Sequence, residues 1–386
     1  MNNARPITLL QPGRIAFGAG CVANAALEFS RGQHCRAVVV TTAALAAAAE
    51  SLARTLRDAD IATEILVEPA AEPTVASCED LRRRTRAAQP DVVYALGGGS
   101  VLDVAKLAAA LHDRSEPVAQ FFGSGLVPPR RTALACLPTT AGTGSEVSPN
   151  ALLLDEAAQA KKAVISPVLV PDIAIVDPEL MRTLPPALTA TTGIDALAHC
   201  LEAYANLSAH PVVDHYALEG VRLIAAHLPR AVVDGHDMAA RSAVALGSLY
   251  GGLCLGPVNT NGVHALAYPL GGEHHLPHGL SIALMLPHVV AFNCAALPER
   301  HAALARALGA PESDDAQQTA AELPARLRSL LAACRIPMGL QHHDIPRHRL
   351  THLAEAGLLV TRLLKNNPRP VSRGDAIAIY EAAYSA

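Results

Sequence analysis

The feature that most constrains this chain is a strand-then-helix rhythm that fills its first half and stops at Leu184-Pro185-Pro186. Arg36 to Thr42 reads as a buried strand, followed by an Ala-rich helix to about Asp58. Ile61 to Val67 and Asp91 to Leu96 read as further strands, each leading into a helical stretch, Val75 to Gln89 and Val101 to about His112. Thr132 to Leu137 and Ile173 to Val176 continue the series, and Ala151 to Ile165 reads as a hairpin with a charged tip at Asp155-Glu156. Strands that alternate with helices imply βαβ units and a parallel sheet covered on both faces. Beyond about residue 190 the patterns are long and helical, broken at Pro211, Gly235, Gly256-Pro257, Gly271-Gly272 and Pro287. Two domains are therefore expected, an α/β domain over 1–184 and an all-helical domain over 185–386.

Composition narrows the class of function. Charged residues make up 17% of the chain, against roughly 25% in an average soluble domain, and the net charge is −4 with no basic cluster. A nucleic-acid partner is not expected from that balance. No uninterrupted apolar run approaches the roughly 20 residues that cross a bilayer, so no membrane association is expected. The start, Met1-Asn2-Asn3-Ala4-Arg5-Pro6, lacks the charged-then-apolar order of a signal peptide, and the expected location is the cytoplasm. Eight cysteines lie at 21, 35, 78, 136, 200, 254, 294 and 334, none within four residues of another. That spacing offers neither a CxxC pair nor a disulfide framework, and most read as small buried hydrophobes.

Two loops point to a nucleotide. Gly97-Gly98-Gly99-Ser100 stands between a strand and a helix, where phosphates approach backbone N–H groups at a helix N-terminus. Glycines there permit positive φ and close approach; Ser100 can cap the helix or bond an oxygen, with Asp103 in the first turn and Lys106 a turn further. The motif is not GxGxxG, and an ordinary βα turn would look the same. The second loop, Leu137-Pro138-Thr139-Thr140-Ala141-Gly142-Thr143-Gly144-Ser145-Glu146, is rich in hydroxyls suited to a polyphosphate or a carboxamide. Two such loops after separate strands of one sheet face the edge where open α/β sheets bind ligands, which together favours a dinucleotide.

The histidines supply the second clue. Of 17, five (264, 274, 275, 278 and 288) fall within 25 residues. Asp195 and His199 are four apart on a helical stretch, so both project from one face about 6 Å apart along the axis. That spacing suits a metal clip and equally a salt bridge. His264 sits in an apolar, small-residue run where an unpartnered imidazole is costly, and His278 opens another apolar helix. Three imidazoles and one carboxylate form a plausible shell for a divalent transition metal. Histidines that merely satisfy helix-end carbonyls in a core are the alternative. His288, His342-His343, His348 and His352 read as structural or surface residues.

The order and spacing of GGGSxxDxAK (97–106), PTTAGTGSE (138–146), GIDALAHCLEAY (193–204) and HALAYPLGG…PHG (264–279) resemble the iron-containing alcohol dehydrogenases along essentially the whole chain. The resemblance implies a Rossmann-like parallel sheet followed by an all-α domain, the architecture shared with dehydroquinate synthase. It implies metal ligands at Asp195, His199, His264 and His278, with Fe2+ the usual ion and Zn2+ in some members. It implies a pyrophosphate site at Gly97, Gly98, Gly99 and Ser100 with Asp103 nearby. Thr139, Thr140, Thr143 and Ser145 would line the nucleotide and nicotinamide region of NAD or NADP, with Lys161 and Leu180 completing the cofactor site. The implied reaction is hydride transfer between a small alcohol or aldehyde and the nicotinamide, in a homodimer or larger homo-oligomer. The small Gly251-Gly252-Leu253-Cys254 stretch points to a modest, uncharged substrate.

Three departures accompany the resemblance. Tyr268 stands where many members carry a proton-relaying histidine; Tyr268 itself and His275, or His274, are the residues left to serve. Thr42 stands where NAD-preferring members often place an Asp for the ribose 2′-OH, so no carboxylate there repels a 2′-phosphate. Glu72-Pro73-Thr74 replaces Asn-Pro-Thr, so an adenine-side contact does not carry over. The rival of the same fold is a maleylacetate reductase, which Pro12-Gly13-Arg14-Ile15-Ala16-Phe17-Gly18 also resembles, but that branch generally lacks the carboxylate found here at Asp195. A synthase of the dehydroquinate type has a different ligand set. A non-catalytic metal-binding protein would leave both Gly-rich loops without a purpose.

Overall fold

The computed structural model describes residues 6–69, 72–158 and 160–385. They form two compact units, Leu10–Thr183 and residues 6–9 together with those from Leu184 onward.

The first unit is built on a six-stranded sheet. Its strands are β1 (Arg14–Phe17), β2 (Arg36–Thr42), β3 (Ala62–Glu68), β4 (Val92–Gly97), β6 (Ala133–Pro138) and β9 (Ile173–Val176), in the order β1-β9-β6-β4-β2-β3 with every pair parallel. A separate three-stranded sheet holds β5 (Gly123–Ser124), β7 (Asn150–Asp155) and β8 (Ala160–Ile165), the last two forming the expected hairpin. Helices α1 (Val22–Ser30), α2 (Ala46–Arg57), α3 (Val75–Ala88) and α4 (Gly99–Leu111) cover the large sheet. Alternate residues of one strand enter two cores: Val38, Val40, Val93 and Ala95 on one side, Ala37, Val39, Val92 and Tyr94 on the other. This two-faced burial is why the strands read as continuous apolar runs. The chain runs from β2 out to β3 and returns to β4 on the other flank of β2. The order therefore reverses between β2 and β4, and the carboxyl ends there, Thr42 and Gly97, flank the crevice in which such sheets bind ligands.

The second unit is helical: α5 (Pro186–Tyr204), α6 (Pro211–Val233), α7 (Met238–Leu255), α8 (Gly262–His274), α9 (His278–Asn293), α10 (Pro298–Ala307), α11 (Ala316–Ala333), α12 (Leu350–Leu358), α13 (Thr361–Leu364) and α14 (Arg373–Tyr384). Residues 6–9 belong to this unit rather than to the α/β one, because Ile7 and Leu9 pack on Ala203, Val213, Ala217, Cys254 and Val258.

Two expectations need correction. Gly271-Gly272 and Pro287 do not break helices; they lie inside α8 and α9, whose buried faces outweigh the local cost. Helix α4 begins at Gly99, two residues early, with Gly98 as its N-cap, so Ser100 is an exposed first-turn residue and not a cap. Two segments, Met238–Leu255 and His278–Ala296, are long and apolar enough to cross a membrane, and 61% of each is buried inside the protein. Burial at that level is what the core helices of a helical unit require.

Candidate metal and nucleotide sites

At the carboxyl edge of the sheet, Gly97 ends β4 and Gly98-Gly99 lead into α4, whose first N–H groups have no intrahelical partner. None of the three glycines has positive φ. They are there for room: a Cβ on Gly99 would lie 2.5 Å from Thr143 Cγ2, and one on Gly97 2.6 Å from Val101 Cβ. A Cβ on Gly98 would meet Thr140 at 3.3 Å. The structure thus brings Gly97, Gly98, Gly99, Thr140 and Thr143 together, with Thr139 joined to the same edge by its N–H to Gly97 O at 3.0 Å. Gly144 supplies the one left-handed turn, at φ 61°.

Asp103 and Ser145 prove to be supports. Ser145 Oγ donates to Asp103 Oδ1 at 2.5 Å, and Leu152 N donates to Asp103 Oδ2 at 2.9 Å. Lys106, wholly buried, donates to Ser145 O at 2.8 Å, Ser148 O at 2.8 Å and Asn150 O at 2.5 Å. Burial pushes the Lys106 pKa down, against Asp103, Cys136 and Glu146, which raise it. This strut fixes the hydroxyl-rich loop on α4 and commits the polar atoms of Asp103 and Ser145 inside the unit. Lys161 is ion-paired with Glu72, Nζ to Oε1 2.7 Å. Leu180 packs on a core of the sheet. Thr42 is half-buried, and its in-register neighbour is Glu68, whose carboxylate pairs with Arg84.

The second site is built inside the helical unit. Helix α5 presents Asp195, His199 and Glu202 at i, i+4 and i+7, hence on one face. His264 lies in the first turn of α8, and His278 opens α9. Asp195, His199 and His264 are buried and offer ligand atoms all within 4.8 Å of one another. Asp195 Oδ1 lies 3.4 Å from Nε2 of His264, 3.4 Å from Nε2 of His278 and 3.7 Å from Nε2 of His199. Neither Asp195 Oδ1 nor His264 Nε2 makes a directed hydrogen bond, although both are buried. Two donors about 2.1 Å from one ion at the tetrahedral angle stand roughly 3.4 Å apart, so the set fits a divalent cation. His278 is the more open member, its side chain 28% exposed.

Close packing places these donors. A Cβ on Gly279 would lie 2.4 Å from the Thr191 carbonyl oxygen, so glycine there allows the start of α9 to reach α5. Gly251 serves packing too: its added Cβ would lie 3.1 Å from Ala196 O and 3.2 Å from His199 Cβ. The Gly251-Gly252 stretch therefore backs α5 and gives no reason for an uncharged substrate.

Electrostatics follow from burial and neighbours. Burial raises the Asp195 pKa, yet His199, His278 and His264 together hold its carboxyl well below the usual range. Burial lowers the His264 pKa, but Glu202 and Asp195 overcome it and raise it to about 9. Glu202 is the residue the sequence reading left without a role. Its Oε2 pairs with His264 Nδ1, and its Oε1 accepts from Val263 N at 2.8 Å and Asn261 N at 2.9 Å. A carboxylate on Nδ1 fixes the proton there and leaves Nε2 as the donor atom. The signal was present as the third polar residue on the Asp195–His199 face.

Tyr268 stands beside the cluster, its ring centroid 6.0 Å from that of His278 and 6.5 Å from that of His264. His275 is exposed at the left-handed C-cap of α8, φ 56°. Seven residues place it about 10 Å along the chain from Tyr268, and no described contact joins it or His274 to the donors.

Comparison with known proteins agrees across both units. A family model described as iron-containing alcohol dehydrogenase matches residues 12–178, and one described as Fe-containing alcohol dehydrogenase family, C-terminal, matches residues 189–384. The sulfoacetaldehyde reductase of Bilophila wadsworthia (strain 3_1_6) is 33% identical over 97% of this chain and 98% of its own. The crystal structure of a 1,3-propanediol oxidoreductase superposes with a TM-score of 0.94 at 31% identity, covering 98% of this chain and 100% of that one. The sulfoacetaldehyde reductase from Bifidobacterium kashiwanohense, solved in complex with NAD+, gives 0.89 at 26% identity over 98% and 99% of the two chains.

Proposed function

The chain belongs to the iron-containing alcohol dehydrogenase family, and from that premise we propose that it interconverts small aldehydes and alcohols with NAD(H) or NADP(H) and one divalent metal ion. The observation that carries this reading is the convergence of three imidazole Nε2 atoms on Asp195 Oδ1. Asp195, His199, His264 and His278 would hold the metal, Fe2+ or Zn2+. Bound, the metal supplies a Lewis acid to the carbonyl oxygen and the nicotinamide supplies the hydride.

The chain's own residues do the rest. Glu202 keeps the His264 proton on Nδ1. Gly97 to Ser100, with Thr139, Thr140 and Thr143, would hold the dinucleotide where N–H groups and hydroxyls meet its phosphates. Asp103, Lys106 and Ser145 keep that loop in place. Tyr268, beside His278 and His264, holds a hydroxyl proton near the substrate oxygen, in the relay's place. Thr42 leaves room for a 2′-phosphate, and Glu68 beside it is already balanced by Arg84. A homo-oligomer in the cytoplasm, without nucleic acid or membrane, completes the reading on the strength of the family resemblance and the net charge of −4.

The test is to load the purified chain with Fe2+ under anaerobic conditions, or with Zn2+. Nicotinamide absorbance is then followed with NADH or NADPH and a panel of aldehydes that also includes maleylacetate. Aldehyde reduction is expected. Turnover of maleylacetate alone would overturn the reading in favour of the double-bond reductase.

A further inference from the structure

Helix α13 is a single turn, yet it is firmly held. Leu363 is fully buried. Just beyond it, Asn366 Nδ2 donates to Thr260 O at 3.1 Å, and Gly262 N donates to Asn367 Oδ1 at 3.2 Å. The Asn293 and Asn367 amides bond each other twice at 2.8 Å. The turn that carries Arg362 is thereby sewn to the start of α8, two residues from His264.

Arg362 is half-buried on α13, which packs on α8, and its guanidinium lies beside Tyr268, where it lowers the phenol pKa against the rise that burial imposes. Other half-buried arginines of the chain have carboxylate partners: Arg84 with Glu68, Arg326 with Glu322, Arg349 with Glu273. Arg362 pairs with none among the described residues. A sheltered cation without a counter-charge is costly unless a ligand supplies one. Asp195, His199 and His264 are buried, whereas His278, Tyr268 and Arg362 remain partly exposed. The open side of the cluster therefore carries His278 and Tyr268, with Arg362 beside Tyr268.

We propose that Arg362 anchors an anionic group on the substrate, so that the preferred substrates are short aldehydes bearing a carboxylate or sulfonate one or two carbons from the carbonyl. The planar guanidinium can pair either anion through two parallel N–H bonds. Because the turn that carries Arg362 is fixed before the substrate arrives, its backbone loses little conformational freedom on binding. The inference rests on the aldehyde reductase reading above.

The test compares kcat/KM for matched aldehydes in wild type, Arg362→Leu and Arg362→Lys: sulfoacetaldehyde against propanal, and succinic semialdehyde against pentanal. Wild type should favour the charged member of at least one pair by about tenfold or more, and Arg362→Leu should erase roughly 10- to 100-fold of that ratio through KM. Arg362→Lys, which keeps the charge without the fork, should recover part of it. A preference in only one pair identifies the anion as sulfonate or carboxylate. Calorimetric titration of the metal-loaded proteins with ethanesulfonate and with propionate reads the same contact without turnover, and binding should weaken in Arg362→Leu. Neutral aldehydes reduced as well as charged ones, or a charge preference intact in Arg362→Leu, would overturn the inference while leaving the reductase reading standing. So would a loss confined to the KM of the nicotinamide cofactor. If no aldehyde is reduced at all, the reductase reading fails, and the calorimetry still decides whether Arg362 binds anions.

Discussion

Replacing Glu202 by Gln should weaken metal binding through the tautomer of His264. Glu202 Oε1 accepts from Val263 N and Asn261 N at 2.8 and 2.9 Å, and Oε2 accepts from His264 Nδ1. A glutamine must keep its carbonyl oxygen toward the two backbone N–H groups, which turns its NH2 toward Nδ1. That nitrogen must then accept, and the ring proton moves to Nε2, the atom 3.4 Å from Asp195 Oδ1 that faces the other donors. Loss of such an outer partner costs 10- to 100-fold in metal affinity, about 1.4–2.7 kcal/mol. The assay is a competition titration of the metal-free protein against a chromophoric chelator, with Zn2+ and with Co2+. Glu202→Ala serves as the contrast, because it also strips the acceptor from the backbone N–H groups and should lower the unfolding temperature. A dissociation constant for Glu202→Gln within twofold of wild type would refute the argument that Glu202 selects the donor nitrogen.

Two further predictions concern packing and pH. Gly279→Ala would place a Cβ 2.4 Å from the Thr191 carbonyl oxygen; backbone cannot give way, so α9 must shift and carry His278 with it. Metal affinity should fall about tenfold with the helical circular dichroism retained, and an unchanged affinity would contradict the packing argument. His288, half-buried with no hydrogen-bond partner for its buried Nε2, has its pKa lowered to about 4 by burial and by Arg328. A depressed histidine contributes stability that is present above about pH 6.5 and lost as pH falls through about 4, at most roughly 3 kcal/mol and about 2 after discounting its partial exposure. Urea unfolding of the metal-free proteins should show wild type losing about 2 kcal/mol more over the interval than His288→Leu, in which the other depressed histidines still titrate; equal losses would count against it.

The large elements were legible because burial on both faces writes a parallel sheet as apolar runs, and β2 and β9 occupy the spans expected of them. Strand β1 escaped because Arg14–Phe17 is a half-exposed edge strand without the continuous buried apolar run that marks the equally short β9. Pro287 and Gly271-Gly272 misled because helix propensity is local, whereas α8 and α9 are held by partners far away in sequence. The ligand candidates could be read individually as His and Asp in unusual surroundings. Their convergence depends on Gly279 meeting Thr191, a contact between residues 88 apart that no periodicity encodes. The same holds for Arg362, which is an ordinary basic residue in the sequence and gains its meaning only from Tyr268.

The most direct measurement is a metal titration of chelated protein with aldehyde reduction followed at each addition, in wild type and in His264→Ala. Activity in wild type should rise linearly with Fe2+ or Zn2+ and level off at one ion per chain, while His264→Ala should retain no metal and show no turnover at any addition. Full activity in the metal-free protein, or a His264→Ala variant that stays metallated and active, would contradict the claim that Asp195, His199, His264 and His278 hold the ion on which the reaction depends.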